Sequence, residues 1–267
     1  MDSVSVTVWD ETEGRGPPVV FTHGIFTWAT DEEYGFAKQR PLARRYRLLM
    51  MDRRGYGSSP DTLRGDFDID AADIEHLLES LDGAHLVGHS NGGLASLLVA
   101  AKRPDLVHSL AVIQPPTFRA AADAPAVRQL LKRVEDVSVP DHVTAEDYLR
   151  GSTEGLGMTM PEPTHDRLRA VATSMRERPV WEAEVPTEAL RNSNWPKLVI
   201  AGTWEDAPEM YRKYAGEALM ECAESLSQII DAELVRVPGY YPHTQQSERV
   251  NALLATLWEC TRPTYTT

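Results

Sequence analysis

Short apolar runs recur along the chain, and most of them are continuous rather than alternating. Each run ends at glycine, proline or a polar residue, which is typical of a strand. The runs cover residues 4–9, 17–22, 46–51, 84–87, 106–113, 197–201 and 233–237. Because strands buried on both faces are continuously apolar, these runs predict a mostly parallel sheet.

Between the runs, apolar residues recur with the period of a helix. Ile74, Leu77, Leu78 and Leu81 are one such stripe, and similar stripes follow residue 93 and residue 249. Strands that alternate with amphipathic helices predict right-handed crossovers and a sheet covered on both faces. We therefore expect an α/β fold with a doubly wound sheet.

Residues 117–196 break this alternation, because no segment there has a convincing strand pattern. We interpret them as a mostly helical insertion. The predicted organisation is one α/β core made of residues 1–116 and 197–267, interrupted by this insertion.

Composition narrows the class of protein. Of the 267 residues, 42% are hydrophobic and 25% are charged, which is ordinary for a globular domain. The net charge of −13 gives the chain no reason to bind nucleic acid. Two cysteines, Cys222 and Cys260, suit a reducing compartment, and no apolar window is long enough to span a bilayer. A cytoplasmic protein without a membrane span is predicted, and its oligomeric state cannot be inferred.

The clearest chemical motif is Gly88-His89-Ser90-Asn91-Gly92, which lies between an apolar strand and an apolar helix. A sharp turn in this context holds the serine hydroxyl above the sheet, and the glycines leave room for the neighbouring backbone. The helix that follows directs its first N–H groups toward the same point. Ser90 is therefore predicted to be a nucleophile.

At this point the chain resembles the α/β-hydrolase fold superfamily, of the esterase, lipase and non-haem haloperoxidase-like kind. Besides the Ser90 motif, the resemblance rests on three segments. These are His23-Gly24-Ile25-Phe26, Asp52-Arg53-Arg54-Gly55-Tyr56-Gly57-Ser58-Ser59 and Gly202-Thr203-Trp204-Glu205-Asp206. The resemblance implies that the insertion at 117–196 is a helical cap over the active site.

The resemblance also implies an oxyanion hole and a catalytic triad. One oxyanion donor is the N–H group of Asn91, and the other is that of Ile25, with Phe26 as the second choice. Glu205 is expected to be the acid, with Asp206 as its alternative. His23 and His89 are expected to be structural, and His89 is expected to point away from the working side of Ser90.

The predicted base is His243, because no other histidine follows His165. The family pattern places its histidine three residues after a Pro-Gly pair, whereas His243 is four residues after Gly239. Either the loop is remodelled and His243 still reaches Ser90, or a deletion removed the catalytic histidine and left Tyr241 near its place.

The predicted function is a serine hydrolase that cleaves an ester, lactone or thioester of a small hydrophobic molecule through an acyl-enzyme on Ser90. No cofactor or metal is expected, because no metal-binding or phosphate-binding motif is present. Two alternatives remain open. One is a non-hydrolytic biosynthetic reaction, namely cyclisation, a lyase step or transacylation. The other is a small-molecule binding protein without turnover.

Overall fold

The apolar runs form the seven strands of one sheet in the computed structural model, which describes residues 3–135 and 142–260. The strands are β1 (Val6–Trp9), β2 (Pro18–Thr22), β3 (Arg47–Met51), β4 (Ala84–His89), β5 (Val107–Ile113), β6 (Lys197–Gly202) and β7 (Glu233–Val237). Each strand agrees with its predicted run to within two residues at either end. The predicted α/β fold with a mostly parallel sheet is confirmed.

The order of the strands explains where a site can form. The sheet runs β1-β3-β2-β4-β5-β6-β7, with β1 antiparallel to β3 and every other pair parallel. The chain winds in one direction from β2 to β3 and in the other direction from β4 onward. Ligands of such sheets bind beyond the carboxyl ends of the strands where the winding reverses. In this chain that place lies between the ends of β2 and β4.

Helices cover both faces of the sheet. The α-helices of the described residues are α1 (Phe67–Ser80), α2 (Asn91–Lys102), α3 (Pro125–Val134), α4 (Ala145–Ser152), α5 (His165–Ser174), α6 (Thr187–Arg191), α7 (Glu209–Tyr211), α8 (Glu217–Ile230), α9 (Pro242–Gln245) and α10 (Ser247–Glu259). A π-helical turn at Arg212–Gly216 joins α7 to α8. On one face Ile74, Leu97 and Leu226 pack from α1, α2 and α8, and on the other Leu254 and Trp258 pack from α10.

The described residues between β5 and β6 are mostly helical, as the sequence pattern predicts. Its described parts, 117–135 and 142–196, contain α3 to α6 and no strand. Val127 of α3 packs against Cys222 of α8, and Leu190 of α6 lies in the same apolar cluster as α2 and α8. The last helix of the segment therefore belongs to the layer over the sheet. The limits of the cap at residues 117 and 196 stay a prediction, and residues 136–141 lie outside the described part.

A bilayer-crossing helix is not found in the described ranges, since every helix there is too short or too polar for one.

Candidate active site

Ser90 lies at the tight turn between β4 and α2, in a backbone conformation that side-chain-bearing residues rarely adopt. Its φ is 51° and its ψ is −124°. The turn is enforced by close packing: a Cβ on Gly92 would lie 2.2 Å from the Thr22 carbonyl oxygen, and one on Gly88 would lie 2.5 Å from the Gly92 carbonyl oxygen. Strain of this kind persists where the surroundings impose it, and it is concentrated at functional sites. The turn has the geometry expected of a nucleophile elbow.

The loop after β2 approaches Ser90 from the other side. A Cβ on Gly24 would lie 3.0 Å from the Cβ of Ser90, so the two loops are in contact. Ile25 lines the cavity above Ser90, and its N–H has no hydrogen-bond acceptor in residues 3–135 and 142–260. The N–H of Phe26 donates to Ser174 Oγ at 3.3 Å. Of the two candidates on this loop, Ile25 therefore has the free donor.

Asn91 supplies the second candidate donor. It is the first residue of α2, and the first N–H groups of a helix have no partner within the helix. Its side chain also contacts the nucleophile, because Ser90 Oγ donates to Asn91 Oδ1 at 3.5 Å. The structure thus brings together Ser90, Asn91 and Ile25 at the point where the winding of the sheet reverses.

The structure does not bring His243 into this group. The side chain of His243, in α9, is fully buried, and its Nε2 lies 3.1 Å from the Tyr34 carbonyl oxygen. Within the described residues its Nδ1 has no hydrogen-bond partner, and the hydroxyl of Ser90 makes its hydrogen bond elsewhere. Burial lowers the pKa of His243 to about 4. His243 is therefore not hydrogen-bonded to Ser90 and is not among the described lining residues of the cavity, and its assignment as base stays a prediction.

Tyr241 lies on that wall, two residues before His243. This agrees with the second account of the loop, in which the family's catalytic histidine is missing and a tyrosine stands near its place. The phenol of Tyr241 is 3.0 Å from the hydroxyl of Tyr211. Burial raises the pKa of both phenols, so they are neutral hydrogen-bonding groups at physiological pH.

The predicted acid lies at the surface of the turn after β6. Glu205 and its alternative Asp206 are both exposed, and neither makes an ion pair or hydrogen bond with the described part of the chain. The inward position on this turn belongs to Trp204, whose φ is 58° and whose Nε1 donates to Gln114 Oε1 at 2.9 Å. Because the buried indole fixes the turn, the two carboxylates that follow it face solvent. The assignment of Glu205, or of Asp206, as the acid stays a prediction.

His89 lies closer to the cavity than the sequence predicts. Its side chain was expected to point away from the working side of Ser90, but it lines the same cavity. Burial, reinforced by His243 at a ring-centroid distance of 4.2 Å, lowers the pKa of His89 well below its usual value. The ring is therefore neutral. Its Nδ1 is buried without a partner in the described residues, which leaves Nε2 as the nitrogen that can face the cavity.

His23 has the structural role expected of it. Its Nδ1 donates to the Gly24 carbonyl oxygen at 2.8 Å, and its Nε2 accepts from the N–H of Arg53 at 3.0 Å. Burial lowers its pKa to about 3, so the ring stays neutral while it braces the loop after β2.

The cavity above Ser90 is small and uncharged. Its volume is about 270 Å³, and no aspartate, glutamate, lysine or arginine is found among its described lining residues. Aromatic side chains dominate the lining, which includes Phe26, Tyr34, Tyr148, Trp204, Tyr211, Tyr214 and Tyr241. Tyr148, Ser152 and Met158 reach it from the helical insertion. Apolar walls with a few polar groups favour a small, neutral, largely apolar ligand.

The sequence did not reveal Glu177, which lies beneath the elbow. Its Oε2 accepts from Asn91 Nδ2 at 2.7 Å, and its other oxygen contacts Arg53 and Tyr56. Arg53 in turn pairs with Asp70 at 2.9 Å. Glu177 lies 86 residues from Asn91 along the chain, and no spacing rule connects a cap turn to an elbow at that separation.

Comparison with known proteins gives a consistent picture. The model of the alpha/beta hydrolase family matches residues 19–253. The sn-1-specific diacylglycerol lipase ABHD11 of Danio rerio is 32% identical over 152 residues, which are 53% of this chain and 48% of that protein. The pimeloyl-acyl-carrier protein methyl ester esterase of Aeromonas salmonicida is 33% identical over 127 residues, 46% of this chain and 47% of that protein. The chain thus spans about half the length of these curated relatives.

Among solved structures, a thermophilic esterase from Thermogutta terrifontis (malate bound) is similar with a TM-score of 0.62 and 21% identity. The match covers 97% of this chain and 94% of the esterase. At this identity the similarity is one of fold.

Proposed function

The chain belongs to the alpha/beta hydrolase family, and on that premise we propose that it is an ester-type hydrolase with Ser90 as its nucleophile. The observation that carries the proposal is the strained elbow, which directs Ser90 into an enclosed, aromatic-lined cavity beside two free backbone N–H groups. The relatives named as a diacylglycerol lipase and a methyl ester esterase support the same reaction class.

The proposed substrate is a small, neutral ester, lactone or thioester whose acyl group is largely apolar. A cavity of about 270 Å³ without a charged lining residue gives an ionised substrate no partner. Transfer of an unpaired charge into such surroundings is costly, so charged analogues are expected to bind poorly.

In the proposed reaction, Ser90 Oγ forms a bond to the carbonyl carbon, and the carbonyl oxygen becomes an oxyanion held by the N–H groups of Ile25 and Asn91. Collapse of this intermediate breaks the bond to the leaving oxygen, or to the leaving sulfur of a thioester. Water then attacks the acyl-serine and releases the acid, which restores Ser90.

The proton of Ser90 requires an acceptor. Of the described residues that line the cavity, His89 carries the only imidazole, and one nitrogen of a neutral imidazole has a lone pair that can accept a proton. We therefore assign the proton to His89, which passes it to the leaving oxygen or sulfur. In the second step His89 accepts one proton from the attacking water and returns it to Ser90 Oγ as the acyl-serine bond breaks. His243 and Glu205 have no part in this scheme.

The test is covalent labelling of the purified protein with a fluorophosphonate, followed by mapping of the modified residue. We expect the label on Ser90 and hydrolysis of a p-nitrophenyl short-chain ester. Ser90→Ala is expected to abolish both while its melting temperature stays close to that of the wild type. Turnover retained in the Ser90→Ala variant would exclude Ser90 as the nucleophile.

A second candidate is a non-hydrolytic reaction of a bound neutral ligand, in which Ser90 only forms hydrogen bonds. The observation that favours it is the wall of neutral phenols, Tyr34, Tyr211 and Tyr241, with no hydrogen-bonded triad in the described part of the chain. Well-folded protein that binds a small aromatic ester without labelling or hydrolysis would support this candidate. Slow conversion of that ligand into another product would separate it from a pure binding protein.

A further inference from the structure

Cap helix α5 and the turn after it present buried polar side chains to the core. Arg167, Ser174 and Glu177 recur at intervals of seven and three residues, which places them on one side of a helical path. The side chain of Arg167 is 4% exposed and that of Glu177 is 8% exposed. Burial of two charged groups is costly unless each has partners. The partners of Arg167 and Glu177 therefore show which parts of the core the helix contacts.

The first contacts hold the oxyanion loop. Phe26 has a left-handed φ of 61°, which is uncommon for an aromatic residue. Its N–H donates to Ser174 Oγ at 3.3 Å, and its carbonyl oxygen accepts from Arg167 Nη1. Arg167 also pairs with Asp31, further along the same loop, at 2.8 Å. Both polar groups of the Phe26 backbone are thus fixed by α5, and the N–H of Ile25 is left as the free donor.

The other contact holds the elbow. Glu177 Oε2 accepts from Asn91 Nδ2 at 2.7 Å, and Asn91 Oδ1 accepts from the hydroxyl of Ser90 at 3.5 Å. The side chain after the nucleophile is therefore anchored to the cap rather than to the core.

We propose that Ser174 and Arg167 are positioning residues for the Ile25 donor of the oxyanion hole, and that Glu177 positions the Asn91 side chain against Ser90, so that Ser90 reacts at its full rate only while α5 is docked. This inference rests on the proposed function. It assigns the cap a part in stabilising the oxyanion, in addition to covering the cavity. Preorganised donors matter because they need no rearrangement as charge develops, and misplacement of one donor lowers the rate rather than the affinity for the ground state.

A purely structural role for α5 makes a different prediction, and the helix offers a matched control. Thr173 is adjacent to Ser174 and equally a hydrogen-bonding residue, but its hydroxyl donates to the Gly55 carbonyl oxygen at 2.8 Å, on the loop after β3. Thr173→Ala therefore weakens docking of α5 without touching Phe26 or Asn91. If α5 only contributes stability, Ser174→Ala and Thr173→Ala should have similar effects.

The experiment measures Ser90 labelling by a fluorophosphonate in four variants, Ser174→Ala, Thr173→Ala, Glu177→Ala and Glu177→Gln. The limiting rate at saturating probe is separated from the probe concentration at half saturation. We expect Ser174→Ala and Glu177→Ala each to lower the limiting rate about tenfold or more, with half saturation within about threefold of the wild type. Glu177→Gln keeps an acceptor for Asn91 Nδ2 and is expected to recover most of the rate.

Amide hydrogen exchange at Phe26 gives a readout that does not depend on reactivity. Ser174→Ala removes the acceptor of that N–H, so its exchange is expected to accelerate at least about tenfold, whereas Thr173→Ala leaves it unchanged. Equal loss of labelling rate in Ser174→Ala and Thr173→Ala, or unchanged Phe26 exchange in Ser174→Ala, would overturn the inference. Failure of the wild type to label at all would refute the proposed function instead, and the exchange comparison would still decide whether α5 fixes the loop.

Discussion

The two sides of the cavity both lie at the carboxyl ends of parallel strands, but different contacts fix their conformations. On the nucleophile side, backbone packs against backbone: a Cβ on Gly88 or Gly92 would lie within 2.5 Å of a backbone carbonyl oxygen. On the opposite side, at the ends of β6 and β7, large side chains decide what faces the cavity. Trp204 and Tyr241 line it, while His243 is fully buried and is not among the described lining residues.

The difference shows which part of an active site tolerates change. A turn enforced by backbone contacts cannot drift without loss of the fold, because every substitution at its glycines produces a clash. A loop whose function depends on one inward side chain can exchange that side chain and remain folded. The elbow of this chain is therefore intact, while the site expected for the acid and base carries an indole and phenols.

The largest effect is expected from a substitution at Gly92, on the nucleophile side of the cavity. A Cβ at this position would lie 2.2 Å from the Thr22 carbonyl oxygen, so Gly92→Ala is expected to lower the free energy of unfolding by about 4 kcal/mol and to abolish labelling. Gly151, an exposed residue of α4 with open space around its Cα, is the matched control. Gly151→Ala is expected to raise stability by about 0.5–1 kcal/mol. Urea unfolding measures both, and a neutral Gly92→Ala would refute the enforced turn.

A pair of histidine variants tests which imidazole serves Ser90. His89→Gln is expected to lower the limiting labelling rate about 10²–10³-fold, because general bases contribute factors of this size. His243→Gln is expected to leave that rate within about threefold, since His243, unlike His89, is not among the described residues that line the cavity with Ser90. Thermal melts of both variants control for unfolding. The reverse ranking in well-folded variants would restore His243 as the base.

The buried ring of His243 is expected to affect stability through pH. Its pKa is about 4 in the folded protein, below the ordinary value of 6.5, because burial penalises the charged form. Between these values the unfolded chain binds the additional proton, so the stability gained from a neutral His243 is full above pH 6.5 and is lost as the pH falls toward 4. This one group accounts for up to about 3 kcal/mol across that window.

His243→Gln removes the titrating group and so isolates its contribution to the pH dependence of the unfolding free energy. The difference in unfolding free energy between the wild type and the variant should shrink as the pH falls from 6.5 to 4. Urea titrations at half-unit pH steps measure it. A difference that does not change with pH would mean that the ring titrates normally and is not buried as described.

The sequence was sufficient to predict every strand, because strand identity depends on local apolar runs. It also predicted the elbow, since the two glycines at positions 88 and 92 indicate that other backbone segments pack closely there. The donor at Ile25 was predictable only through the family resemblance, because the contact between the β2 loop and the elbow joins segments far apart in the chain.

The positions of His243, Glu205 and Glu177 were not predictable, for a common physical reason. Each depends on which way a side chain turns within a loop, and that choice is made by distant partners. Tyr34 binds His243 through its carbonyl oxygen, Gln114 fixes the indole next to Glu205, and Arg53 helps to bury Glu177. Spacing along the chain carries no information about such partners.

The smallest effects are expected at the turn after β6. There the buried Trp204 can be compared with the two exposed carboxylates that follow it. Glu205→Gln and Asp206→Asn are expected to leave the labelling rate unchanged and the unfolding free energy within about 0.5 kcal/mol, because both carboxylates face solvent without partners in the described residues. Trp204→Phe is expected to cost about 1–2 kcal/mol, because it leaves Gln114 Oε1 with one donor fewer in a buried place. A labelling defect of tenfold or more in Glu205→Gln, absent from Asp206→Asn, would show that the turn rearranges during the reaction and brings this carboxylate to the active site.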